Sequence, residues 1–582
     1  MSESSAQPAD PALWPTGLGP GSRHFDRAEA LRRLGEDPFD LLVVGGGVTG
    51  AGVALDAASR GLRSALVERH DFASGTSSKS SKLAHGGLRY LQQGELRLVY
   101  EALHERQRLI HNAPHLVKLL PFLIPVFGRG GVLNPKLARA LGTAMWMYDL
   151  TGGARIGKLH ERLDKEAALA HMPTLPPEKL VSAYKYYDAT VDDARLTLTL
   201  VRTAALDFGA AVANRCELVA VAKDGGGHVA GATVRADGCD IEVSCRAVIN
   251  AAGVWSDDVR ALDEGTHPQS IRPAKGIHIT VPWDKVRNDI AVVVPVPGDK
   301  RSVFVVPWGR FTYIGTTDTD YDGPLDDPQC TSDDVAYLLR AINASVTTEI
   351  TAADITGTWA GLRPLVKTAA SGRTADLSRR HRVSASAAGV VTVTGGKLTT
   401  YREMSADAVD AVLEGLAGPT HERAWRRRRT KKLRLRGADG YQSLLDDAAV
   451  PSRRGPLAKG TVEHLANRYG GEARTVLAMV EADPSLGQPL VAGLPHIRAE
   501  AVYAARYEMA RTVDDVLSRR TRARLLERDA SADAADDVAQ LIAPVLGLSH
   551  AEAVAQAQTY RRAVQHERQA AQGSQPGELI EA

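Results

Sequence analysis

Cysteine is scarce: Cys216, Cys239, Cys245 and Cys330 are the only four in 582 residues, with no C-x-x-C pair and no metal-ligand spacing. That excludes a disulfide-built scaffold and indicates a reducing compartment. No stretch approaches the roughly 18 apolar residues that a membrane-spanning helix requires. The most apolar run, Leu119–Phe127, is short and carries Pro121 and Pro125, so it reads as a buried edge segment. Residues 1–38 lack the basic start and apolar core of a secretory signal and read as a loose tail. Excess charge is lacking too. A net charge of +2 and a pI of about 8.2 do not point to nucleic acid as a partner.

What is present is size and one well-formed motif. A chain of 582 residues exceeds a single hydrophobic core. Leu41 to Val44 reads as a buried parallel strand that delivers the chain into Gly45-x-Gly47-x-x-Gly50. An alanine-rich helix follows, then a second strand, Ser64 to Val67, ending at Glu68. In such a unit the first glycine makes the tight turn, the second admits a pyrophosphate, and the third lets helix and strand pack closely. The helix N-terminus offers N–H groups and the positive end of its dipole to phosphate. Glu68 stands where a carboxylate accepts from a ribose 2′-hydroxyl. The unit binds an ADP-containing cofactor; it does not say which.

Further along, helical spacing covers about 94–113, 136–149 and 195–208, the last ending before Gly209. Short strands follow, with a turn at Gly225–Gly227, and Ala247 to Asn250 is an apolar strand. From about 270 to 365 the pattern is that of an antiparallel sheet. Val390 to Thr394 is a last strand, Gly395 and Gly396 its turn, and a helix starts near Leu398. From about 440 onward the chain is helical, and no internal repeat is visible.

The segment Thr76–Leu91 clusters hydroxyls, lysines and Gly86-Gly87, a loop chemistry suited to a flat or anionic ligand. With the opening glycines, it closely resembles the FAD-dependent glycerol-3-phosphate dehydrogenases. These are flavoproteins of the glutathione-reductase-like, amino-acid-oxidase-type class. Further segments resemble the family in the expected order: Tyr187–Leu196, Asn250–Trp255, Lys275–His278, Pro307-Trp308, Gly315–Asp318, Gly361–Pro364 and Thr394–Tyr401. Residues 501–527, with Tyr503, Arg506, Tyr507, Asp515, Arg519 and Arg520, resemble its C-terminal domain.

The resemblance implies an α/β fold: a glutathione-reductase-like FAD-binding Rossmann domain, an inserted antiparallel-sheet substrate domain and an α-helical C-terminal domain. The expected FAD domain is discontinuous, 39–115, 180–265 and 375–415. The substrate domain takes 116–179 and 266–374, and the helical domain 425–575. FAD is the implied cofactor, contacted by Gly45, Gly47, Gly50, Glu68, Thr76, Ser77, Ser78, Lys82, Leu83, His85, Gly86, Gly87 and Gly253. Gly395, Gly396, Lys397, Leu398 and Thr399 complete that set, the two glycines aiming a helix N-terminus at the electron-rich end of the reduced ring.

The implied substrate is sn-glycerol 3-phosphate. Oxidising its secondary alcohol takes a flavin acceptor, a proton acceptor and a phosphate clamp. His278 is the expected base and Arg363 the expected stabiliser of alkoxide or ketone at the reacting end. Arg89, Tyr90, Arg379 and Lys397 are the expected clamp, since guanidinium forks and a lysine point charge suit phosphate. Arg380 or Arg382 stands close enough to replace Arg379, and Lys397 serves either phosphate or the flavin N1–C2 region.

The basic run at 426–432, beside Trp425, is either a solvated linker or a contact for anionic lipid. The family hands electrons to membrane quinone. The expectation is therefore a cytoplasmic enzyme held peripherally on the inner face of the cell membrane, with a homodimer left open. An oxidase passing electrons to O₂, or another amino-acid-oxidase-type flavoenzyme, is the alternative. No metal site is expected. The absence of an EF-hand pattern speaks against calcium regulation, and the lack of an Arg/Ser-rich transit-like start favours a bacterial-type enzyme.

Overall fold

The computed structural model describes residues 25–87, 95–128, 157–299, 301–367, 380–416, 425, 427–450 and 457–573. The helical pattern at 136–149 lies outside them.

The strand Leu41–Val44 runs parallel to Ser64–Glu68 on one side and Val248–Asn250 on the other. Ala211–Asn214 extends the sheet beyond Ser64–Glu68, and Val391–Thr394 extends it beyond Val248–Asn250. Arg382–Ala385 closes that edge as an antiparallel hairpin. Side chains alternate between faces along each strand. Leu41, Val43, Leu66 and Ile249 pack on the helices Val48–Arg60, Asp193–Phe208 and Tyr401–Leu416. Leu42, Val44, Val67 and Val248 face a second layer, built from helix Arg27–Glu36 and the three-stranded sheet Cys216–Lys223, Val229–Ala236 and Cys239–Ser244. Such three-layer burial is what makes every residue of the central strand apolar.

Helix Arg27–Glu36 corrects the expectation of a loose tail through residue 38. Asp26 caps it by accepting from Ala28 and Glu29 N–H, and Leu34 is fully buried. Arg27 donates to the Asn214 and Arg215 carbonyls and to Asp237. The cap and the Ala30–Leu34 spacing were in the sequence; the docking arginine was not recognisable there.

A ten-stranded mixed sheet forms the other half of the α/β body. Ile271–Pro282 pairs antiparallel with Gly357–Val366 on one side and Phe311–Gly315 on the other. Ser302–Trp308 and Ala291–Pro295 continue it. Leu180–Val191 and the short strand Leu83–Ala84 belong to this sheet, not to the Rossmann sheet, which displaces the expected boundary at residue 180. Val117–Phe127 is not an edge segment either. It pairs along its length with Leu180–Val191 and, on its other side, runs parallel to Ala291–Pro295. That second pairing is confined to Phe122 and Leu123, between Pro121 and Pro125, because proline has no N–H to extend a ladder.

The elements of the described residues from Tyr441–Ala449 to His550–Gln572 are helices. Buried ion pairs clamp this domain to the rest. Asp71 accepts from Arg519 at 2.6 Å and from Arg520 at 2.7 and 2.9 Å. Arg522 donates to Asp193 at 2.9 Å, and Arg195 pairs with Glu508. Burial pushes the Asp71 carboxyl upward, but the guanidinium groups of Arg520 and Arg519 more than offset it and hold it well below the usual carboxylate range. Removing one partner of such a pair costs about 3–5 kcal/mol, since the other charge stays buried.

Candidate active site and cofactor groove

The glycine turn closes as its spacing predicts. Gly45 adopts φ +109°, and a Cβ on Gly50 would lie 1.9 Å from the Gly45 carbonyl oxygen. No side chain caps helix Val48–Arg60 at Gly47. Ser77 Oγ accepts from the Val48 N–H at 2.8 Å and brings the Thr76–Ser78 turn against the helix start. Glu68 accepts from the Gly46 and His70 N–H groups at 2.6 and 2.8 Å. Burial raises its carboxyl above the usual range, and those two N–H groups draw it back.

These elements wall a cavity of about 550 Å³ that also touches Gly253, Trp255, Gly395, Gly396, Lys397 and Leu398. The turn needs both terminal glycines: Gly395 and Gly396 have φ of 73° and 83°, and a Cβ on Gly396 would strike the Met404 sulfur at 2.3 Å. Segment Cys216–Val219 and the Arg69–Trp255 pair, stacked at 4.9 Å, line the groove as well. Sequence reading singled out the segment carrying Trp255 but not Arg69 or Cys216–Val219, although Cys216 stands two residues past the strand Ala211–Asn214. A bare glycine cradle at an open helix N-terminus, with a carboxylate at the end of the second strand, fits the pyrophosphate and ribose of FAD.

A second cavity of about 190 Å³ adjoins it, sharing Thr76, Pro364, Gly395, Gly396, Lys397 and Leu398. Here His278, Arg363, His85, Leu83 and Thr399 come together from four separate stretches of chain. His278 Nε2 lies 2.9 Å from Ser81 Oγ. Its ring stacks on Trp359 with centroids 4.7 Å apart and planes 10° from parallel. A Cβ on Gly315 would sit 2.2 Å from His278 Cδ2, so the ring rests against bare backbone. Burial holds the imidazole well below its ordinary pKa, and the charges of Lys82 and Arg363 add to the effect. It is therefore neutral at neutral pH, the form a base requires.

Arg363 lies across Gly276, where a Cβ would come within 2.4 Å of a guanidinium nitrogen. It donates to Thr316 Oγ1 and the Thr317 carbonyl, both at 3.1 Å, and faces Asp318 at 3.5 Å. This explains why Gly276, two residues before the histidine on one strand, accompanies the arginine.

Other expected contacts are placed differently. Lys82 is buried, lines neither cavity, donates to the Ser78 and Ser80 carbonyls, and lies 4.5 Å over the Trp359 ring. Burial pushes its ammonium down to about 8. Ser78 is buried with its hydroxyl on the Gly75 carbonyl, and the Gly86 N–H goes to Asp188. Gly87 has φ +80° and Gly50 acts through packing, so all five support the walls without lining them. Thr399 Oγ1 accepts from the His85 N–H at 3.1 Å. Arg89, Tyr90 and Arg379 lie outside the described residues. Arg380 pairs with Glu95 at 2.6 Å and Arg382 is exposed, which leaves neither the easier clamp.

His464, His496 and Glu500 cluster in the helical domain with potential ligand atoms within 4.8 Å of one another. Glu500 already accepts from Tyr469 Oη, the Ile497 N–H and both imidazoles, and Arg468 stands 3.7 Å away. Arg468 supplies the positive charge a metal would bring, so the cluster is a hydrogen-bonded hub joining helices Lys459–Tyr469 and Arg498–Tyr507.

A Rossmann sheet with an open glycine cradle, joined to a mixed sheet carrying a histidine and an arginine, defines an FAD-dependent oxidoreductase. That family matches residues 40–402, and the C-terminal domain of alpha-glycerophosphate oxidase matches residues 428–553. Glycerol-3-phosphate dehydrogenase 2 of Mycobacterium tuberculosis is 42% identical over 558 residues, covering 95% of this chain and 92% of the relative. The human mitochondrial glycerol-3-phosphate dehydrogenase is 36% identical over 579 residues, covering 96% and 77%. The Bacillus halodurans glycerol-3-phosphate dehydrogenase complexed with FAD superposes with a TM-score of 0.75 at 29% identity, covering 95% of this chain and 99% of that one. The chain belongs to the FAD-dependent glycerol-3-phosphate dehydrogenase family.

Proposed function

We propose that the protein oxidises sn-glycerol 3-phosphate to dihydroxyacetone phosphate by hydride transfer to FAD and passes the electrons to a membrane quinone. The observation that carries this reading is the convergence of His278, Arg363 and Lys397 on one small cavity continuous with the cofactor groove. The names of its relatives support the same substrate. FAD, when bound, supplies the two-electron acceptor. His278 takes the carbinol proton, and Arg363 stabilises negative charge on the oxygen that becomes the ketone. Burial is the main cause of the lowered His278 pKa; dianionic substrate beside Arg363 offsets the further lowering by the Lys82 and Arg363 charges, which favours proton uptake.

The phosphate clamp is assigned to Arg89, Tyr90, Arg379 and Lys397. Arg89→Ala should raise KM for glycerol 3-phosphate by at least about tenfold, as expected for one lost charge-assisted contact, and leave the poor KM for glycerol unchanged. Equal effects on both substrates would remove Arg89 from the clamp.

The membrane reading rests on the 426–432 run. Arg428 is already used, pairing with Glu403, Asp407 and Asp410 on helix Tyr401–Leu416. Arg427, Arg429, Lys431 and Lys432 are exposed, and each basic residue near an anionic leaflet adds about 1 kcal/mol. Among the described residues no helix is long and apolar enough to cross a membrane. The protein should therefore co-sediment with anionic vesicles at low salt and dissociate at high salt. Binding that is absent or salt-insensitive contradicts an electrostatic contact. An oxidase is the second reading, favoured by the match to the alpha-glycerophosphate oxidase C-terminal domain. Peroxide yield under air, measured against reduction of a quinone analogue, separates the two.

A further inference from the structure

His278 is only 2% exposed, whereas Ser81, bonded to its Nε2, is partly exposed and lines the small cavity beside it. Both residues line that cavity, and the serine hydroxyl stands at the Nε2 edge of the ring. Its position is fixed from both sides. Tyr313 Oη donates to the Ser81 carbonyl at 2.8 Å. Ser80 donates to Asp193 through its N–H at 3.0 Å and its hydroxyl at 2.7 Å, and Lys82 is anchored to the Ser78 and Ser80 carbonyls. The histidine ring is equally fixed, between the Trp359 face and the bare backbone of Gly315.

The protonation state follows from the same contacts. A neutral imidazole carries one N–H, and its other nitrogen accepts. His278 Nδ1 is buried with no hydrogen-bond partner among the described residues, so the hydrogen bond the ring makes is at Nε2. Nε2 is the nitrogen that faces a hydroxyl, and in the tautomer that leaves Nε2 unprotonated the Ser81 hydroxyl donates to it.

We infer that Ser81 is a catalytic proton relay: the substrate hydroxyl hydrogen-bonds to Ser81 Oγ, which already occupies the Nε2 position of His278, and its proton reaches the imidazole through the serine. This rests on the reading of His278 as the base. With FAD bound to accept the C2 hydrogen together with its bonding pair as hydride, the carbinol O–H bond breaks and its proton passes to Ser81 Oγ. The serine's own proton moves to His278 Nε2 in the same motion. The C2–O bond becomes a carbonyl, the hydride's two electrons being what the bound flavin would accept; Ser81 ends neutral as it began, and His278 carries the proton. A hydroxyl that only oriented the ring would not be needed on the proton's path.

The experiment compares purified, flavin-loaded wild type with Ser81→Ala, Ser81→Thr, His278→Ala and the Ser81→Ala/His278→Ala double variant. Each is assayed for kcat, KM and the solvent deuterium isotope effect on kcat. Loss of a proton-transfer group predicts that Ser81→Ala lowers kcat by about 10²-fold or more with KM within a few-fold. Ser81→Thr, which keeps a hydroxyl, should recover most of the loss. The double variant should be no slower than the worse single one, because the two groups act on one proton. In wild type a solvent isotope effect should be present, and Ser81→Ala should change it. Wild-type kcat in Ser81→Ala, or equal loss in Ser81→Ala and Ser81→Thr, overturns the relay while leaving His278 as base. Wild-type kcat in His278→Ala overturns the base itself, a separate outcome.

Discussion

Replacing His278 with alanine should lower kcat by about 10²–10⁴-fold, the range for loss of a general base, while the protein stays yellow. Among the described residues His278 lines the small cavity and not the cofactor groove, so flavin content should match wild type; a colourless variant would point to a structural role. The reason the effect falls on kcat is geometric. His278 bonds to Ser81 and stacks on Trp359, and its expected part is to take a proton as the bond breaks, so ground-state binding is little changed. The same burial makes a pH prediction. Because the folded pKa is depressed, the basic form persists as pH falls through the ordinary histidine value of about 6.5. After correction for the substrate phosphate, which titrates near about pH 6, the acid limb of kcat/KM should lie below that value. An acid limb above about pH 6.5 would mean a different base.

Gly50→Ala should abolish flavin binding and lower the melting temperature. The new methyl would meet the Gly45 carbonyl oxygen at 1.9 Å and its carbon at 3.1 Å, backbone atoms that cannot rotate away. Helix Val48–Arg60 would have to lift from the strand, and that movement carries the first-turn N–H groups away from the pyrophosphate. Overpacking of this kind costs about 1–3 kcal/mol or more. Gly415→Ala is the control: it lies in helix Tyr401–Leu416 with open space around it, and should keep full flavin and gain roughly 0.5–1 kcal/mol. Flavin content by absorbance, with calorimetry, checks both. Full flavin in Gly50→Ala would show that the cradle tolerates a side chain.

Legibility in the sequence followed the range of each interaction. The βαβ unit at 41–68 was readable because its signals are local: an apolar run, three spaced glycines and a terminal acid. The roles expected of His278 and Arg363 came only from resemblance, since nothing local distinguishes a catalytic histidine on a strand from a structural one. What stayed hidden was pairing across the sheet. Val117–Phe127 carries two prolines, so it read as an edge, yet a partner strand that bonds only between them places it in the interior. Lys82 stood among hydroxyls and read as a cofactor contact, but Asp193, more than a hundred residues away, helps hold it under the Trp359 ring. Ser81 was one hydroxyl among several until the fold set it against His278. The basic run looked uniform, and only the carboxylates of helix Tyr401–Leu416 single out Arg428 as internal.

The central claim is that a flavin in the groove of Gly45, Gly47 and Gly253 accepts electrons from glycerol 3-phosphate held by the adjoining cavity. Anaerobic addition of glycerol 3-phosphate to the purified protein, followed by its visible spectrum, tests this most directly. The account predicts a yellow protein whose flavin band bleaches promptly with glycerol 3-phosphate and hardly at all with glycerol or a D-amino acid. A protein without flavin, or one whose flavin stays oxidised in excess glycerol 3-phosphate, would contradict it.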